Sequence, residues 1–342
     1  MSPNSNKTAP TLMVVIAFAT VYLVWGSTYF FIRMAIHGLP ALLMGAMRFF
    51  TAGLLVLLWC VAKGEKIFIK KSLINSAIVG LLLLLVGNGI VIWVEQVLPS
   101  AMVAILVSAA PIWFVLLDKP NWNNNFRSRS TVTGLIIGFA GVILLFGEQL
   151  EGMFSGGNVG IKLLYMTLLI IGSISWSAGS LYSKHHPSEG SAAVNVAWQM
   201  IIAGIAFVPG SLLNHELTGL HLAEVPARSW FALGYLILFG SIAAFSAYVW
   251  LLQVRPATQV STYAYVNPVI AVILGTLFAN EHISLLQIGG LAIILISVLL
   301  INLSKYRSKR QAANDHEPKK DEIPGIDAGH VQDALCVASR VR

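Results

Sequence analysis

Gln259, Tyr263 and Asn267 recur every four residues in an otherwise apolar stretch, so on a helix they share one face. Thr258, Ser261 and Tyr265 form an adjoining face. Amides and hydroxyls donate and accept hydrogen bonds. They offer reversible recognition of a solute rather than bond breaking. Pro268 follows directly. Inside a helix it removes an N–H and strains against the carbonyl four residues back, that of Ala264; Pro111 stands in the same relation to Val107. Backbone freed in an apolar setting has to face protein or a water-filled cavity. These residues are therefore expected to line a cavity, with interhelical hydrogen bonding and a packing kink as the alternatives.

Tyr22, Trp25 and Tyr29 share one face of the first apolar stretch, and Ser173, Trp176 and Ser180 one face of the sixth. Trp25 and Trp176 are expected as cavity walls, against core packing. For the tyrosines the alternative is an interfacial belt. Gly87-Asn88-Gly89 combines close backbone approach with an amide, which suits a substrate contact, a hinge or a tight seam. Arg48 lies about eight residues inside its stretch, roughly 12 Å deep. A charge at that depth is costly and usually paired. Arg48 is expected to point inward and pair with Glu95 or helix-end carbonyls as part of a gate; snorkelling is the alternative.

No Asp, Glu, Lys or His falls in the middle of an apolar stretch. That favours a neutral or zwitterionic solute of apolar or aromatic character. There is no HExxH, no P-loop and no central carboxylate pair, so an enzyme is not expected. His185-His186 reads as a solvated pair, and Cys60 and Cys336 as incidental. No metal and no cofactor is expected.

The elements that would position these groups follow from composition. Of 342 residues, 56% are hydrophobic and 11% charged, against about 25% charged in a globular domain. Such a chain cannot shield its surface in water, so an all-α polytopic membrane protein is expected. Ten stretches approach the roughly 20 residues needed to cross a bilayer: 12–32, 40–62, 74–95, 99–117, 132–147, 161–181, 190–213, 228–251, 258–278 and 284–303. With the N-terminus inside, the inside segments as far as Arg310 hold fourteen Lys or Arg and the outside segments three, Arg33, Lys162 and Arg228. Basic residues mark the cytoplasmic side, which places both termini there. The net charge of +7 thus encodes orientation, not nucleic-acid binding. Residues 1–11 read as a cytoplasmic segment and 304–342 as a polar, disordered tail.

The stretches fall into two copies. Gln96, Pro99 and Pro111 repeat as Gln253, Pro256 and Pro268 at an offset of 157. Trp25, Arg33 and Gly53 pair with Trp176, Lys184 and Gly204 at 151, and Gly134 with Gly290 at 156. Residues 12–147 and 161–303 are therefore expected to be two five-helix repeats. Five is odd, so the second copy enters from the opposite side and the repeats are inverted. That supplies a basis for alternating access. An inert duplicated scaffold is the alternative.

One ordered set of phrases resembles the EamA branch of the drug/metabolite transporter superfamily. It comprises Trp25-Gly26-Ser27-Thr28-Tyr29-Phe30, Arg48-Phe49, the run from Gly80 to Gly89, Gly172-Ser173-Ile174-Ser175-Trp176, Gly240-Ser241-Ile242 and Tyr263-Ala264-Tyr265-Val266-Asn267-Pro268. The resemblance covers about residues 12–303. It implies ten helices in two inverted repeats, a central cavity and export of small metabolites or drugs across a bacterial inner membrane. The polar stretch from Asn121 to Ser130 departs from its counterpart near Asn280 to Ser284, which bears on the first-half gate or loop. The expected partners are a small-molecule substrate and membrane lipid, with a homo-oligomer left open. Rival readings are a lipid or nucleotide-sugar carrier and a non-transporting receptor or scaffold.

Overall fold

The computed structural model describes residues 10–98, 100–145, 147, 159–186, 189–218, 220–279 and 284–315. Pro99, Cys336, most of the 1–11 segment and the tail beyond 315 lie outside them. Helices make up the described architecture: α1 (Thr11–Ile36), α2 (Ala41–Ala62), α3 (Lys70–Val94), α4 (Ser100–Val107), α5 (Ala110–Leu117), α6 (Trp122–Arg127), α7 (Arg129–Leu145), α8 (Val159–His185), α9 (Ala192–Leu213), α10 (Ala227–Val254), α11 (Ala257–Val260), α12 (Tyr263–Ala279) and α13 (Leu285–Asp315). Pro40, Pro226 and Pro256 stand at the starts of α2, α10 and α11, where a missing N–H costs nothing. The Glu216 carboxylate accepts from the Leu42 and Leu43 amides at 3.0 and 2.8 Å, satisfying free N–H groups at the head of α2.

Six helices, α1, α2, α3, α8, α9 and α10, are long and apolar enough to cross a membrane. Val103–Leu117 and Lys119–Arg127, bent by 72° at their junction, make a seventh if counted as one span. Arg129–Leu145 and Leu285–Ile301 are apolar but shorter. The outward surface is greasy: Leu23, Phe30, Leu58, Ile136, Leu164 and Phe231 each expose more than half their area. The interior holds buried Ser27, Ser76, Ser177, Ser180, Ser241 and Thr262. Polar groups inside and apolar groups outside is the arrangement hydrocarbon requires.

Packing exchanges under the repeat offset. A Cβ on Gly53 would lie 2.8 Å from the Ile201 amide nitrogen, and one on Gly204 2.5 Å from that of Phe50. Residues 50 and 201 are themselves 151 apart, so the two contacts are copies across one seam, that of α2 and α9. A Cβ on Gly134 meets Ile301 at 2.7 Å and one on Gly290 meets Leu145 at 2.6 Å, the same exchange between α7 and α13 at an offset of 156. Small residues let helix backbones approach this closely. Two π-helical stretches, Leu81–Asn88 in α3 and Leu236–Ala243 in α10, also correspond, at 155.

Three expectations need correction. Pro111 is not inside a helix: the chain breaks at Ser108 and Ala109, and Pro111 opens α5, where no N–H is needed. Gln259 does not share a continuous helix with Tyr263 and Asn267, because turns at Ser261 and Thr262 separate α11 from α12. Residues 304–315, expected to be disordered, are helical, since their Lys, Arg, Gln and Ala residues are strong helix formers. Residues from Leu303 onward form a unit of their own.

The α2–α9 seam generates a prediction. Gly204→Ala places its methyl against the Phe50 backbone and should destabilise the protein by about 1–3 kcal/mol. Gly234→Ala, where nothing lies within 4 Å, should be near neutral. Thermal unfolding in detergent compares the two.

Candidate functional site

A cavity of about 720 Å³, counting its open mouth, lies where α1, α2, α3, α8, α10 and α12 converge. Both π-helical stretches border it. Leu84, Gly87 and Asn88 come from the first and Gly240 from the second. A π-bulge widens the helix and redirects carbonyls, and the Gly240 carbonyl accepts the Trp25 indole N–H at 3.1 Å. Gly87 leaves room for the Trp176 ring, which would lie 3.0 Å from a Cβ there.

Of the residues singled out in the sequence, Trp25, Tyr29, Arg48, Asn88, Trp176, Tyr263 and Asn267 line this cavity. Trp25 and Trp176, equivalent under the repeat offset, meet edge to face at 5.4 Å. Trp25 also packs on Tyr248 at 4.8 Å and Tyr263 at 5.0 Å. Tyr248 was not legible as a site residue. Its hydroxyl lies 2.6 Å from Ser180 Oγ and accepts the Trp176 indole N–H at 3.0 Å. One turn along α1, the Tyr22 hydroxyl bonds Thr262 at 2.6 Å. This bonded aromatic layer floors the cavity, because the lining residues of α1 run from Trp25 to Ile32 and those of α8 from Gly172 to Trp176.

Beyond the floor lies a second closure. His185 Nε2 lies 3.1 Å from the buried Asp118 carboxylate, which also accepts both bonds from Asn121. Lys184 Nζ donates to the carbonyls of Leu252 and Arg255 at the end of α10, where a cation suits the helix dipole. The ends of α5, α8 and α10 are thus tied together. His185 is exposed, as the sequence suggested, yet its ring engages Asp118.

Other expected site residues fall elsewhere. Tyr265, two positions from Tyr263, points about 200° around the helix. It is fully buried against α7, with its hydroxyl donating to the Leu135 carbonyl at 2.9 Å. Ser180 belongs to the floor rather than the lining, and Gln259 is buried on α11. Pro268 is buried beside the cavity, and the carbonyl it frees, Ala264 O, lies 2.9 Å from the Ser108 hydroxyl. A protein group, not cavity water, therefore satisfies the kink.

Arg48 and Glu95 form no ion pair. Lys71–Glu189 and His185–Asp118 do come within ion-pair distance, at 3.4 and 3.1 Å. Arg48 does point inward, 3% exposed, with Nε donating to Ser241 Oγ at 2.9 Å. Glu95 is buried near Tyr29, and both its carboxylate oxygens lack hydrogen-bond partners. Helices α2 and α3 hold the two groups too far apart for a direct contact.

A helical membrane protein whose inward-facing polar and aromatic groups surround a blind cavity is built as a solute carrier. The chain belongs to the EamA-like transporter family, which it matches over residues 12–147 and 163–303; it is a transporter and not an enzyme. It is 39% identical to the uncharacterized inner membrane transporter YedA of Escherichia coli, over 85% of this chain and 90% of that protein. It is 23% identical to the uncharacterized transporter YoaV of Bacillus subtilis, over 86% and 99%. A probable amino-acid metabolite efflux pump of Escherichia coli is 22% identical, over 85% and 94%. A solved crystal structure shares the fold with a TM-score of 0.68 at 16% identity, covering 88% of this chain and all of its own.

The floor is testable by a double-mutant cycle. Tyr248→Phe should cost about 1–2 kcal/mol by leaving Ser180 and Trp176 short of a partner. Combined with Ser180→Ala it should be non-additive by about 0.5 kcal/mol or more. Additive losses in unfolding free energy would mean the bonds are not coupled.

Proposed function

We propose that the chain is a secondary transporter of ten membrane-spanning helices, in two inverted repeats over 12–147 and 161–303. It exports small neutral or zwitterionic metabolites or drugs by alternating access. It lies in the bacterial inner membrane with both termini in the cytoplasm. The observation that carries this reading is the blind cavity: lined from both sequence halves, partly open at one end and closed at the other by two successive bonded layers. The contacts that exchange between Gly53 and Gly204, and between Gly134 and Gly290, supply the two-fold logic by which one face closes as the other opens. The excess of Lys and Arg in the segments joined to Lys184 and Asp118 supports a cytoplasmic position for the closed end. One relative is a probable amino-acid metabolite efflux pump, which supports the direction.

Two rival readings fit less well. A nucleotide-sugar carrier needs several cations for its phosphates, and Arg48 is alone among the lining residues in carrying a positive charge. A scaffold gains nothing from a polar lining in its interior, yet Asn88, Ser173 and Asn267 all line the cavity.

Solute counterflow into preloaded proteoliposomes tests the proposal. Uptake should exceed that of protein-free liposomes for at least one member of a metabolite library. Asn267→Ala should slow it by roughly tenfold, the worth of about one hydrogen bond to substrate. No uptake for any solute, from protein that remains folded, would sink the transport reading.

A further inference from the structure

Arg48 holds a charge at a depth where an unpaired cation is costly. Its environment leaves that charge conspicuously unmet. It is 3% exposed and makes one side-chain hydrogen bond, to the neutral Ser241 hydroxyl. Nη1 is buried without a partner. The guanidinium carbon lies 4.8 Å from the Phe49 ring centroid, a contact that supplies no acceptor. Glu95 is the carboxylate whose field reaches it, but it stays outside ion-pair range and does not line the cavity. Gly240 holds the other side of the guanidinium, because a Cβ there would lie 3.0 Å from Nη2. A side chain at 240 would push the fork aside, so the glycine keeps it at the cavity wall.

From this geometry we infer that Arg48 is the anchor for a carboxylate on the transported solute. The inference rests on the transport reading and deepens it. A guanidinium fork matches the two oxygens of a carboxylate, and a lysine does not reproduce that fit. The rest of the lining fixes the remainder of the ligand. Trp25, Tyr29, Trp176, Phe245 and Tyr263 present ring surface, which suits an apolar or aromatic body. The solute class is a small organic acid or zwitterion with one carboxylate and one apolar group. Arg48 is then a substrate-binding residue, and the gate role read for it from the sequence gives way to a binding one.

The test uses the full chain purified in detergent, with 3-phenylpropionate, L-phenylalanine and their carboxamides as probes. Binding is read by thermal shift and microscale titration, separately from flux. At least one carboxylate should bind roughly ten- to hundred-fold tighter than its amide, the margin expected of a charge-assisted bond. Arg48→Gln should abolish that margin while the ligand-free protein melts no lower, because an uncompensated buried charge has been removed. Arg48→Lys keeps the charge without the fork and should retain part of it. Amides binding as tightly as acids, the margin surviving in Arg48→Gln, or no probe binding at all would each overturn the assignment. Carboxylate-selective binding that depends on Arg48, without flux in proteoliposomes, would instead leave the anchor standing and sink the transport reading.

Discussion

Hydrocarbon offers no hydrogen-bond partner, and the structure follows from that single constraint. Every serine, threonine, amide or phenol on a spanning helix has to find protein or water. Ser108 therefore reaches the Ala264 carbonyl, Tyr265 the Leu135 carbonyl and Trp25 the Gly240 carbonyl. Each bond ties one helix to another. Arg48, Asn88, Ser173 and Asn267, each with a buried polar atom that finds no protein partner, come together where α1, α2, α3, α8, α10 and α12 meet.

Glycine decides how closely the helices approach. Gly53 and Gly204 let α2 and α9 run in backbone contact, and each meets a residue equivalent to the one the other meets. Trp25 and Trp176, equivalent under the 151-residue offset, are in contact at 5.4 Å at the floor of the cavity. The symmetry is incomplete where chemistry intervenes. The first repeat breaks just before Pro111, whereas the second breaks at Ser261 and Thr262 and keeps Pro268 within α12. That places Tyr263 and Asn267 on the cavity wall, while Leu106 and Ala110 take the matching positions of the first repeat. Recognition chemistry is thus concentrated on one copy of a duplicated frame.

Much of the frame was legible because it depends on local patterns. Long apolar runs, the 151- and 157-residue offsets and proline positions need no knowledge of neighbours. Trp25, Trp176, Asn88 and Asn267 were legible in the site because each interrupts such a pattern. Tyr248 and Asp118 were not, since each looks ordinary in its own segment and acquires a role only through Ser180 and His185 on α8. Tyr265 misled for the same reason. Its polarity is plain in the sequence, but the direction of its side chain depends on where α7 lies.

The sequence by itself determined that the chain is helical, built for a membrane and duplicated, because hydrophobic length and repetition are properties of the chain alone. Only the tertiary structure decided which polar groups satisfy one another and which are left facing the cavity. Arg48 and Glu95 show the difference. Arg48 is a costly charge about two turns into α2 and Glu95 one at the end of α3, and pairing them is the natural reading of a one-dimensional string. Helix packing separates the two, gives Arg48 only a neutral serine and leaves its fork unmet. Whether a buried charge is neutralised depends on distances of a few ångströms between helices, and no spacing along the chain fixes those.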